Sequence, residues 1–231
     1  IYGPPGLEAL IRAMLAAGGH PLQFDITFHT VQPGETQLIF EDRLIEIHAF
    51  ALKHRLPTLG YRINEKPKLL NLNKESISAA GLFIEDLPKL KAGISIERNG
   101  KKYNYKDYTL PAQPVYSYAY CSDTKPSPSY LQAILDVDLL YHESTFNQQH
   151  LERAKQTFHS TAQQAAQQAV LAKCKYLLLG HFSSRYEDVL QHLAEARMIH
   201  PNVGAAEDGL QLMLGKWGLI FESADKTQAQ Q

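Results

Sequence analysis

The sequence predicts a layered α/β sandwich, and three observations carry that reading. Beyond residue 115, short apolar runs of strand length alternate with segments of helical period. One such segment places Ala162, Ala165, Ala166 and Ala169 on a single face, small enough for a helix to lie close on a sheet. With 231 residues, 44% of them hydrophobic, the chain can bury a substantial core as one domain or one large two-layered unit.

The elements follow in order. Pro4-Pro5 opens a helix whose apolar residues Leu7, Leu10, Ile11, Met14 and Leu15 share one face, and Gly18-Gly19 stops it. Strands are expected near 23–31, 36–41, 43–53 and 59–64. The stretch 65–112 changes character, with a short helix over 73–80 and a hairpin in which Asn99-Gly100 joins 94–98 to 101–105. It reads as an arm inserted between two strands of the main body. Past the arm come a strand at 116–121, a helix near 128–135, a strand at 138–142 and helices near 147–156 and 161–172. A strand at 175–180, a helix at 186–198 and strands near 203–206, 210–214 and 218–222 complete the body. Thr161 with Gln164 has the spacing of a capping box. The polar tail over 223–231 is expected to be disordered.

Net charge is −1, which argues against wholesale electrostatic capture of a nucleic acid. The average conceals an asymmetry. From Glu65 to Lys106 nine Lys/Arg stand against five Asp/Glu, whereas the remainder is acidic. A basic appendage on an acidic body suits local contact with a polyanion, although a solvated surface excursion has the same composition. Cys121 and Cys174 lie in apolar surroundings without C-x-x-C spacing, as reduced buried thiols of a cytoplasmic protein would. No apolar run approaches the roughly 18 residues that a membrane span requires.

Three polar residues, His54, Asp123 and His181, each follow an apolar run, so neighbouring strands would gather them on one edge of a sheet. Imidazole, carboxylate and imidazole are zinc-ligand chemistry. Each also has an ordinary reading, as a strand-end histidine or a turn aspartate. His48 lies about 20 Å along the strand from His54 and cannot share a metal with it. His20, His29, His150, His192 and His200 have no comparable placement. Around His181, the run Gly-His-Phe-Ser-Ser-Arg-Tyr places Arg185 where a guanidinium could fork onto a phosphate. His142-Glu143-Ser144-Thr145 and His159-Ser160-Thr161 add two more polar clusters, which a strand-end turn and a helix N-cap would also explain.

Taken in order, these clusters resemble the ribonuclease Z family, the tRNA 3′-processing endonucleases of the metallo-β-lactamase fold. Ile-Tyr-Gly-Pro-Pro-Gly at 1–6 carries the resemblance, with His54 followed by Gly60-Tyr61-Arg62. Ser122-Asp123-Thr124, His142-Glu143-Ser144-Thr145, His159-Ser160-Thr161 and Gly180-His-Phe-Ser-Ser-Arg-Tyr186 continue it to about Leu214. It implies an αββα sandwich. The family's His-x-His-x-Asp-His motif is absent here and would precede the segment matching Ile1, so the chain is expected to be the C-terminal two-thirds or so of such an enzyme. The arm departs too, lacking the family's Gly-Pro-rich tip.

The resemblance further implies two zinc ions, with Asp123 bridging them, His54 completing the first site and His181 the second. His159 would be the proton donor to the leaving oxygen, Glu143 its orienting partner, and Arg185 a counter to phosphate charge or an anchor of the His181 loop. The implied substrate is precursor tRNA, cut 3′ of the acceptor stem, with the arm gripping RNA outside the active site and the intact protein a homodimer. Lacking the upstream motif, the 231-residue chain is expected to bind zinc weakly, to be inactive, and to expose apolar sheet surface. Two other readings remain open: a hydrolase of the same fold acting on small phosphodiesters, thioesters or lactams, or a metal-free scaffold or dimerisation piece. A substrate panel separates the first from the nuclease; a scaffold has no need to keep His54, Asp123, His159 and His181 together.

Overall fold

A computed structural model describes residues 1–19, 22–215 and 218–222, the last five by backbone alone. Two compact units divide the chain, one formed by residues 1–64 with 116–231 and the other by residues 65–115.

In the larger unit, β1 (Tyr2–Gly3) leads to α1 (Leu7–Ala17), which starts behind Gly6 in the left-handed conformation and stops at Gly18. The strand expected near 23–31 is confined to β2 (His29–Thr30), paired in parallel with β1. Residues 22–28 join no ladder among the described residues, so their strand-like composition goes unused. β3 (Gln37–Glu41), β4 (Ile45–Ala51) and β5 (Leu59–Glu65) then form one side of a seven-stranded sheet.

The smaller unit follows β5. Asn73 caps α2 (Lys74–Ala80) by accepting from the N–H groups of Glu75 and Ser76. A 3-10 turn runs into α3 (Leu87–Lys91), whose Leu90 is fully buried. The hairpin of β6 (Ile96–Arg98) and β7 (Lys101–Tyr103) turns through Asn99 and Gly100, both at positive φ, as a two-residue loop requires. α4 (Tyr105–Tyr108) closes the unit. α3 and α4, at five and four residues, are too short to show a helical period in sequence.

Back in the larger unit, β8 (Ser117–Cys121), β9 (Leu139–Glu143), β10 (Tyr176–Gly180) and β11 (Val203–Ala205) run parallel to one another. The whole sheet has the order β11-β10-β9-β8-β5-β4-β3. α5 (Leu151–Thr157) and α6 (Ala162–Leu171) join β9 to β10, and α7 (Leu190–Arg197) joins β10 to β11, as parallel strands demand. The helix expected over 128–135 is instead a 3-10 turn at Pro128–Tyr130 followed by further turns, ended by Asp136 at positive φ. β12 (Gln211–Gly215) and β13 (Gly218–Glu222) form a separate hairpin, and the tail at 223–231 lies outside the described residues.

The core explains the alanine stripe. Ala162, Ala165, Ala166 and Ala169 of α6 are all fully buried against Ala119, Cys121, Leu140, Leu177 and Leu179 of the sheet. Thr161 and Gln164 complete the capping box at the start of that helix. Both cysteines are free and buried, and burial pushes the Cys174 thiol up to about 12. On the opposite face of the sheet Tyr120 stacks on Tyr141, with ring centroids 4.6 Å apart, and Tyr120 is exposed.

Candidate active site

The C-terminal ends of parallel strands collect on one edge of an open sheet. Asp123 follows β8, Glu143 ends β9, His181 follows β10, and His54 follows β4, which runs in the same sense. Asp123 and His181 both adopt positive φ (51° and 55°), a conformation that Asp and His tolerate better than most residues. His159 arrives from the other layer. It follows Phe158, the left-handed C-cap of α5, and the next segment is tied to the loop after β9 by Ala162 N–H donating to the Phe146 carbonyl and Phe146 N–H donating to the Ser160 carbonyl.

Glu143 is the hub of the arrangement. Its side chain is wholly buried, yet its two oxygens accept five hydrogen bonds. Oε1 accepts from Thr124 N–H and from His159 Nδ1, each at 2.7 Å. Oε2 accepts from the Thr145 hydroxyl at 2.7 Å, the Ser160 N–H at 3.0 Å and the Thr145 N–H at 3.2 Å. Burial alone would raise this carboxyl, but the bond and charge of His159 with the other donors hold it below its ordinary value. In return the Glu143 hydrogen bond raises the pKa of His159 against the opposing effect of burial.

Beside this couple, His181 Nε2 faces Asp123 Oδ1 at 3.0 Å. The contact lacks hydrogen-bond geometry, and Oδ1 is a buried oxygen without a partner. Ligand atoms of Asp123, Glu143, His159 and His181 all lie within 4.8 Å of one another. The ring of His54 stands 5.1 Å from that of His159, which stacks at 5.3 Å on His181, so three imidazoles form a row. His54 Nδ1 is 3.1 Å from the Phe158 carbonyl oxygen. Arg185 is exposed and more peripheral. Its Nε donates to Ser183 Oγ at 3.0 Å, and its guanidinium lies over the Phe146 ring.

All six residues singled out in the sequence therefore sit on or beside one edge of the sheet. The structure also separates His142 from its neighbour Glu143. The imidazole is buried, with Nε2 3.1 Å from the Tyr130 hydroxyl and Nδ1 2.7 Å from the Glu143 carbonyl oxygen, and burial lowers its pKa. Sequence reading gave no role to Thr124, Thr145 or Ser160. Each is buried and donates to Glu143, and each lies within a polar cluster already noted. The available signal was a Ser or Thr adjacent to Asp123, Glu143 and His159, though it does not by itself tell a buried hydroxyl from a turn hydroxyl.

Comparison with known proteins places this geometry in context. No family model matches the chain. It is 35% identical over 215 residues to "Ribonuclease Z" of Porphyromonas gingivalis, covering 93% of the chain and 71% of that relative. Its identity to "Ribonuclease Z" of Parabacteroides distasonis is 38% over 213 residues, covering 92% of the chain and 70% of the relative. Among solved structures it is similar to the short form of human tRNase Z, with a TM-score of 0.58 at 24% identity, covering 90% of the chain and 64% of that structure. The metallo-β-lactamase fold protein YhfI of Bacillus subtilis is matched with a TM-score of 0.55 at 14% identity, covering 90% of the chain and 61% of the neighbour. These two likenesses identify the fold.

Proposed function

The chain belongs to the ribonuclease Z family, and from that premise we propose that it carries active-site residues of a metal-dependent endoribonuclease that removes the 3′ trailer of precursor tRNA. The observation that supports this most is the buried Glu143 gripping His159 beside the His181–Asp123 pair.

Asp123, His181 and His54 are the residues proposed to hold metal, and zinc is the ion their N and O donors suit. Asp123 Oδ1, buried and unpartnered, and His181 Nε2, 3.0 Å away, are spaced as two ligands of one ion would be. When bound, such ions would polarise the scissile phosphate and acidify the attacking water.

The remaining work falls to the chain itself. Cleavage that leaves a 3′-hydroxyl must protonate a basic alkoxide. His159 has Nδ1 committed to Glu143, which leaves Nε2 as the atom that can deliver a proton, and the raised pKa keeps that proton available near neutrality. Glu143 acts through His159, orienting the ring and stabilising its charged form. Arg185, stacked on Phe146, would meet phosphate oxygens at the rim. In the smaller unit, nine Lys/Arg stand against five Asp/Glu between Glu65 and Lys106, which supports the arm as an RNA-gripping element.

Three proposed donors are fewer than two zinc ions require. We therefore expect the isolated 231-residue chain to hold metal loosely and cleave poorly, and two tightly held zincs per chain would overturn this. Protein extended to the length of its relatives should cut a trailer-bearing precursor tRNA once, just 3′ of the acceptor stem. In that protein His159→Ala should lower turnover by about a hundredfold or more with metal content unchanged. Normal turnover would remove His159 from the mechanism, and no cleavage by the unmutated protein would sink the nuclease reading. Deleting residues 66–106 should weaken tRNA binding while sparing hydrolysis of a small phosphodiester.

A further inference from the structure

Thr145 sits where a single hydroxyl touches three functional groups. Its Oγ1 is 2.7 Å from Glu143 Oε2, 2.8 Å from His181 Nδ1 and 3.3 Å from His159 Nδ1. The side chain is almost completely buried, so no solvent competes for these contacts. We infer that Thr145 is a positioning residue that selects the ring tautomer of His181, relaying to it the acceptor strength of Glu143. The inference deepens the proposed function and rests on the same site.

A hydroxyl has one proton to donate. Glu143, surrounded by donors and held in its ionised form, can only accept, so that proton points at Oε2. The lone pairs of Oγ1 are then left for His181, and a contact of 2.8 Å is a hydrogen bond only if Nδ1 carries the hydrogen. Which nitrogen of a histidine is protonated is set by the partner of the other one. With Nδ1–H spent on Thr145, Nε2 presents a bare lone pair on the side of Asp123.

The Asp123 contact agrees with this assignment. An Nε2–H group would be expected to aim along its bond at so close a carboxylate oxygen. Asp123 Oδ1 instead stands 3.0 Å from Nε2 without hydrogen-bond geometry. The pair therefore does not read as a donor facing an acceptor, in keeping with an Nε2 that carries no hydrogen. Glu143 thus governs both histidines, His159 directly and His181 through Thr145. Carboxylate partners behind metal-ligating histidines act in the same way, by fixing tautomer and ring orientation.

The test compares the 231-residue chain with its Thr145→Ser and Thr145→Val variants. ¹⁵N NMR of the His181 ring, at a pH where the ring is neutral, reports the tautomer, and competition with a chelator reports zinc affinity. The unmutated chain and Thr145→Ser should show Nδ1–H and equal affinities. Thr145→Val should move the ring toward Nε2–H and weaken zinc binding by about tenfold to a hundredfold. An Nε2–H ring in the unmutated chain overturns the inference whether or not the valine variant folds. So does a valine variant with unchanged tautomer and affinity. Neither readout uses RNA, so failure of tRNA cleavage would count against the proposed activity and not against the role of Thr145.

Discussion

The phenol of Tyr141 occupies the space that a Cβ on residue 180 would need. The Tyr141 oxygen and adjacent ring carbons would all overlap a methyl group built there. Tyr141 lies on β9 and Gly180 ends β10, one residue before His181. The glycine is therefore required by its neighbour and not by a turn, since it leaves room for the Tyr141 ring beneath the His181 loop.

Gly180→Ala should consequently destabilise the larger unit by about 1–3 kcal/mol through overpacking. Tyr141→Leu removes the colliding atoms at the cost of a partly buried ring stacked on Tyr120. The double variant should be more stable than the sum of the two single changes predicts, because the sites share one space. Urea unfolding of the four proteins measures this. Additive effects would show that the sheet yields at residue 180 without strain.

Asp138 should make stability fall in acid. Burial raises its carboxyl, but the hydrogen bond from Lys175, the Ser117 N–H and hydroxyl, and the Lys175 charge together hold it below its ordinary value. With a folded pKa below the unfolded value of about 3.9, its contribution is complete above about pH 4 and is lost as pH falls through the lower, folded value. Asp138→Asn should cost about 1–3 kcal/mol at pH 7 and proportionally less near pH 2. A pH-independent difference between the two proteins would contradict the assignment.

In the smaller unit Arg98 joins the hairpin to the 3-10 turn at Ile84–Asp86. Its guanidinium lies 2.7 Å from Glu85, 3.3 Å from Asp86 and 4.1 Å from the Phe83 ring centroid. Arg98→Ala should loosen this unit by on the order of 1 kcal/mol. Amide exchange should accelerate across Ile96–Tyr103 and remain unchanged in β8–β11. Acceleration throughout the protein would mean that the two units unfold as one.

Strand and helix order was legible because the parallel part of the sheet is built from continuous apolar runs such as Tyr176–Gly180, whose burial is nearly complete. The same logic failed at 22–28, where strand-like composition joined no ladder and only His29–Thr30 paired, and at 128–135, where a 3-10 turn and further turns replace the expected helix. At the site, His54, Asp123 and His181 stood out by their place after apolar runs, whereas the roles expected of Glu143, His159 and Arg185 came from the family resemblance. Thr124, Thr145 and Ser160 were not legible, because a buried hydroxyl and a turn hydroxyl are the same letters. What separates them is the burial of Glu143, which depends on strands far apart in sequence.

Glu143 and His159 should show a stability window bounded on both sides. The carboxyl is depressed, so its contribution is complete above about pH 4.3 and disappears as pH falls through its lower folded value. The imidazole is raised, so its contribution is complete below about pH 6.5 and disappears as pH rises through its higher folded value. The coupling between them should then be largest from about pH 4.5 to 6.5 and decline toward pH 9, where the neutral ring still donates to the carboxylate but brings no charge. A double-mutant cycle with Glu143→Gln and His159→Asn, followed by denaturant unfolding from pH 4 to 9, isolates that term. Coupling that stays flat across this range would mean that the 2.7 Å contact is a neutral hydrogen bond throughout, and His159 would then lack the charge a proton donor requires.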